Sequence, residues 1–97
     1  MKIIQNGIER ETFPSETIIR GATIYDVYNN IDFSYCKFLD CSLQNIQFIN
    51  CNFKNAAFDQ CRINAEFYAC NMRDCRFIQC KVFSISFYHS TTDGMVF

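Results

Sequence analysis

Tryptophan is absent from this sequence, and proline and histidine occur once each. The lone histidine, His89, leaves little scope for imidazole acid–base or metal chemistry. Three glycines are too few and too scattered to form a phosphate-cradling loop. No apolar run approaches the ~18 residues that a membrane-spanning helix requires. The opening stretch "MKIIQNGIERETF" puts charges where a signal peptide needs its apolar centre. The close CxxC pairs preferred by tetrahedral zinc sites are missing as well. Net charge is −1, so bulk charge favours neither a nucleic-acid binder nor a strongly acidic decoy. The expectation is a cytoplasmic protein that is not an enzyme, with no catalytic, cofactor-binding or metal residues, no cofactor and no membrane contact.

What the chain does have is phenylalanine and cysteine. It holds eleven Phe and seven Cys in 97 residues, and 49% of the chain is hydrophobic. The cysteines are Cys36, Cys41, Cys51, Cys61, Cys70, Cys75 and Cys80, and every gap between neighbours except one is a multiple of five. Large apolar residues keep the same beat: Phe33, Phe38, Leu43, Phe48, Phe53, Phe58 and Ile63, then Phe67, Met72, Phe77, Val82 and Phe87. One unit, between Ile63 and Phe67, is a residue short. Two positions before each of these centres stands Ile31, Cys36, Cys41, Ile46, Cys51, Ala56, Cys61, Ala65, Cys70, Cys75, Cys80 or Ile85. All are apolar, and every cysteine of the chain is among them.

A period of five suits neither a helix nor a half-buried strand. It suits a short extended segment followed by a turn. Residues two apart share one side of an extended chain, so each unit turns two side chains inward, and four units close a square coil. The fold class is therefore all-β, with Cys and Ala filling the tight place beside each corner. Buried free cysteine behaves as a small hydrophobe. Stacked in-register thiols point the same way, which is poor disulfide geometry.

The pattern of residues 31–87 resembles the pentapeptide-repeat family, whose consensus is A(D/N)Lxx, with Cys standing for Ala and Phe for Leu. The resemblance implies a right-handed quadrilateral β-helix, here of about three coils with short terminal caps. Residues 1–21 read as an N-terminal cap with a hairpin turn at Asn6-Gly7. Residues 22–89 read as the β-helix, with Ala22/Ile24 and Asp26/Tyr28 as degenerate units. Residues 90–97 read as a C-terminal cap that turns at Asp93-Gly94.

Folding the units four to a coil places outward residues in columns. Asn29, Ile49, Tyr68 and Tyr88 form the largest apolar one, and Ile49, Tyr68 and Tyr88 are the candidate interaction face. A second column holds Leu39, Asp59 and Ile78, and a third Tyr25, Gln44, Asn64 and Phe83. Basic and acidic side chains are interspersed, so no single-sign field emerges. The expected function is a non-enzymatic binding module that contacts a protein partner of unknown identity through a solenoid face or end. Resemblance to the family adds a homodimer through a terminal coil or the tyrosine face. It also implies, as the alternative, a DNA-mimic inhibitor of a DNA-binding enzyme, such as gyrase, another topoisomerase or a phage-defence target, in a bacterial or phage setting. Direct binding of nucleic acid through the Lys37, Arg76, Arg62 and Lys81 edge ranks last.

Overall fold

A computed structural model describes residues 17–97. The hairpin expected at Asn6-Gly7 lies outside the described residues. Eight strands run in order: β1 (Ile18–Arg20), β2 (Thr23–Asn29), β3 (Lys37–Leu39), β4 (Ser42–Ile49), β5 (Ala57–Asp59), β6 (Arg62–Tyr68), β7 (Arg76–Ile78) and β8 (Lys81–Tyr88). They form two parallel four-stranded sheets, β1-β3-β5-β7 and β2-β4-β6-β8. The result is a right-handed β-helix of about four turns.

The long strands supply two walls each coil because both of their centres face inward. Leu43 and Phe48 are both buried in β4, although residues five apart on a straight strand point to opposite sides. The strand must bend between them, and the ladder shifts register there. The short strands make the third wall. The fourth is a column of tight turns, bridged from coil to coil by Asp32↔Asn52, Asn52↔Asn71 and Asn71↔Thr91.

Each of these turns closes with a backbone bond: Cys36 to Phe33, Ala56 to Phe53, Cys75 to Met72 and Met95 to Thr92, at 3.0–3.1 Å. The third turn residue has positive φ in every case: Tyr35 61°, Asn55 57°, Asp74 57° and Gly94 73°. That is the type II geometry. Ahead of three turns, a carboxylate or amide oxygen accepts the N–H two residues on, from Ser34 to Asp32, Lys54 to Asn52 and Arg73 to Asn71. The polar residue before each centre on this wall thus holds its own corner.

Inside, rings stack along the axis because strand spacing of ~4.8 Å matches aromatic stacking distance. Phe38 lies 4.6 Å from Phe58, Phe58 5.0 Å from Phe77, and Phe77 4.7 Å from Phe97, all within 11° of parallel. Between columns the rings meet edge to face, as Phe53 does with Phe48 and Phe67. The cysteines explain themselves next. Each thiol in the columns Cys41, Cys61, Cys80 and Cys51, Cys70 donates to a carbonyl of the preceding coil: Ile19, Phe38 and Phe58, then Tyr28 and Phe48, at 3.1–3.6 Å. Ser90 continues the second column, its hydroxyl donating to the Phe67 carbonyl at 3.2 Å. A small side chain with a weak donor fits that place.

Three expectations need correction. The coil count is about four and not three, because pairing already begins at Ile18, opposite Lys37. Residues 90–97 do not cap the solenoid. They extend it, bridging Asn71 to Thr91 and Arg76 to Val96 and laying Phe97 on Phe77. Finally, Val82 is 42% exposed while Ile63, its counterpart one coil up, is 0%, and Cys80 and Phe87 are only partly buried. The position is right for a core residue, but no further coil lies beneath it among the described residues. The remaining predicted core positions, from Phe33 to Phe77, are buried.

Candidate interaction surfaces

The seven cysteines are free thiols, and their surroundings keep most of them protonated. Burial pushes Cys36 up to about 11 and Cys75 up to about 12. Cys80 is raised by burial as well. In the stacked pairs the neighbouring thiol divides the effect, drawing Cys41 and Cys51 down, while that neighbour and burial push Cys61 and Cys70 up. Burial and neighbouring thiols outweigh any basic side chain around them, so no thiol sits in the electropositive setting of a nucleophile. Among the described residues, no group of three or more His, Cys, Asp or Glu is placed to hold a metal ion.

The predicted apolar column is assembled as register requires: Asn29 opposite Ile49, Ile49 opposite Tyr68, and Tyr68 opposite Tyr88. The two tyrosine rings stack at 4.7 Å and 12°. Tyr68 donates to Glu66 at 3.1 Å, and the same carboxylate oxygen accepts from Gln47 at 3.0 Å. This face is therefore a laced cross-strand ladder with much of its bonding capacity already used. The third predicted column does not form whole. Asn64 pairs with Ser84 and the register shifts beside it, because the short third coil leaves Phe83 without a partner. Phe83 stands out instead, 60% exposed, with the Arg62 guanidinium 5.7 Å and the Lys81 ammonium 5.6 Å from its ring centre.

The least satisfied surface is the end formed by residues 80–97. Phe97 is 63% exposed where Phe77 above it is 4%. Val96 and Val82 are exposed beside it, and Ile85, Phe87 and Met95 are only partly covered. At 150–250 Å² for an aromatic side chain, Phe83 and Phe97 alone leave roughly 200–300 Å² of ring in water. At the other end the inward residues Ile19 and Ile24 are buried. The outer edge of β8 has no parallel strand beyond it among the described residues. The sequence reading named a solenoid end as a contact but not its residues, because the repeat marks which side chains point inward and carries no mark for the last coil.

The architecture defines a class: a parallel β-solenoid with a filled interior, whose only ways of meeting another molecule are its walls and its ends. The model of the family described as Pentapeptide repeats matches residues 29–64 in eight copies. Over that segment the chain carries pentapeptide repeats, and the same coil geometry extends on both sides of it. No curated protein matches it significantly in sequence. Among solved structures it is similar to a trypsin-treated variant of QnrB1, a plasmid-mediated fluoroquinolone resistance protein, with a TM-score of 0.53 and 16% identity over 96% of this chain and 63% of that one. A second trypsin-treated QnrB1 variant gives a TM-score of 0.41 at 14% identity, over 96% of this chain and 70% of that one. This chain thus spans less than two thirds of the first structure, and the likeness concerns the fold alone.

Proposed function

We propose that this protein is a binding module that works by docking the end formed by residues 80–97 against protein, a second copy of the chain being the occupant best matched to it. The observation that carries this reading is the contrast between Phe97, which no coil of the described residues covers, and Phe77, the equivalent position one coil up. An exposed apolar layer rimmed by polar side chains marks a contact surface, and an uncapped solenoid end needs covering. Two such ends are self-complementary, as a two-fold dimer requires. Among the described residues the solenoid interior is filled and the clefts are shallow, which supports a non-enzymatic role. Free thiols in this number suit a reducing compartment such as the cytoplasm.

Sedimentation velocity across a dilution series tests the proposal. The protein should sediment as a dimer at the higher concentrations, and Val82→Glu and Phe97→Ser should both give folded monomers. A wild-type monomer throughout the series overturns it.

The DNA-mimic reading is supported by the fold shared with a fluoroquinolone resistance protein. Charge weighs against it. Residues 17–97 hold seven acids, Asp26, Asp32, Asp40, Asp59, Glu66, Asp74 and Asp93, against seven bases, and Asp59 and Asp93 are paired with Lys37 and Arg73. A decoy for a duplex needs a continuous run of negative charge. Titrating the protein into a gyrase supercoiling reaction separates the readings, with no inhibition expected.

A further inference from the structure

On the wall made by the short strands, the column facing outward reads Ile18, Lys37, Ala57, Arg76 and Val96 from coil to coil. Ala57 is small enough to leave a gap between the two cations. A cleft of about 260 Å³ opens there, floored by Ala57 and lined by Ile18, Tyr35, Lys37, Asn55 and Arg76. Elsewhere on the surface, long polar side chains pair with the coil above or below, as Asn50 does with Asn30, Asn64 with Asn45 and Gln47 with Glu66. Around this cleft only Lys37 is paired, with Asp59 at 3.5 Å. Arg76 has no ion pair among the described residues, and the Tyr35 hydroxyl and the Asn55 side-chain amide have no partner there either.

Tyr35 is the second unusual feature. Its φ of 61° lies in the left-handed region, where a bulky side chain is disfavoured. The same place in the other coils holds Asn55, Asp74 and Gly94, residues that tolerate it. An aromatic ring kept there at a conformational cost, exposed at the mouth of a cleft, points from strain to function.

We propose that this cleft is an anchor site for one carboxylate side chain of an acidic segment in a protein partner. The Arg76 guanidinium supplies the planar fork that matches a carboxylate, Lys37 offers the N–H donors left over from its pairing with Asp59, and Tyr35 and Ile18 pack against the stem of the incoming side chain. The volume suits one side chain and excludes a bulky ligand. This site is on a wall, with Arg76 one coil from Val96 of the end formed by residues 80–97, and its contacts do not depend on whether that end takes a second copy.

An NMR titration of the full chain with a capped oligoglutamate peptide tests the site, with inorganic phosphate and a single-stranded oligonucleotide as comparison probes. The peptide should shift the amides of Lys37, Asn55, Ala57 and Arg76. Arg76→Gln should weaken its binding at least ~5-fold, as loss of a charge-assisted bond does, and Ala57→Gln, which fills the gap from outside the core, should abolish it. Tyr35→Asn should raise the thermal midpoint while lowering affinity, an outcome that loss of fold cannot produce. Shifts confined to other residues, unchanged affinity in Arg76→Gln, or equal binding of phosphate or the oligonucleotide overturns the proposal. Sedimentation of the same variants should show the oligomeric state unaltered, so failure here and failure of the dimer are told apart.

Discussion

Replacing the same residue by alanine in the middle and at the end of the ring stack should produce very different losses of stability. Phe53 is 0% exposed and lies among five rings: Phe33 and Phe48 at 4.9 Å, Phe67 at 5.4 Å, Phe58 at 5.7 Å and Phe38 at 6.2 Å. Removing a buried phenylalanine costs ~3–5 kcal/mol. Aromatic pairs add ~0.5–1.5 kcal/mol each beyond burial, so Phe53→Ala belongs at the upper end, about 5 kcal/mol. That is a third or more of the stability of an ordinary domain, about 5–15 kcal/mol. Phe97 touches two rings, Phe77 at 4.7 Å and Phe87 at 6.4 Å, and most of its surface is in water. Its removal should cost about 1 kcal/mol, a third of the buried value. Urea unfolding followed by far-ultraviolet circular dichroism at high dilution measures both, with the slope on denaturant unchanged. Repeating it at higher concentration should enlarge the Phe97 effect, since a partner that binds only the folded state adds stability. Equal losses at the two sites under dilute conditions would refute the stacked-coil reasoning.

Other consequences follow from the thiols. Cys61→Ser should be nearly neutral, within about 1 kcal/mol, because Ser90 already makes the same bond to the preceding coil at 3.2 Å; Cys61→Val should cost ~1–3 kcal/mol by overpacking, and chemical denaturation reads both. Alkaline pH should destabilise the fold. Cys36 and Cys75 are raised by burial from 9.0 to about 11 and about 12, so the unfolded chain loses these protons first. Their contribution is whole below pH 9.0 and disappears as pH climbs through 11 to 12, visible as a falling thermal midpoint.

Much of the interior was legible from sequence because the repeat is written in side-chain size. A centre such as Phe58 and its companion Ala56 point inward for a reason that depends only on local backbone period. The corners were legible in part: Asn and Asp at the positive-φ positions are what such turns favour, yet Tyr35 occupies one of them and periodicity says nothing about why. The coil count came out short because Ile19 at one end and Phe97 at the other continue the stack with units that depart from the pattern. Asp26, for example, has φ 95° and is exposed, so its unit contributes Tyr28 alone, packed on Phe48 at 6.1 Å. Surfaces were the least legible. Tyr68 and Tyr88 stood out as an apolar column, but their ladder with Glu66 and Gln47 emerges only once register is fixed. The cleft over Ala57 depends on three coils together, and no local stretch of sequence contains it.

Thiol labelling of the native protein, resolved cysteine by cysteine by mass spectrometry, tests the stacked coil with its open end most directly. Cys80, on the last coil and partly exposed, should be modified first. Cys36, Cys41, Cys51, Cys61, Cys70 and Cys75 should react only as fast as the protein unfolds. Labelling of Cys51 or Cys61 in the folded state at the rate of Cys80 would contradict the account.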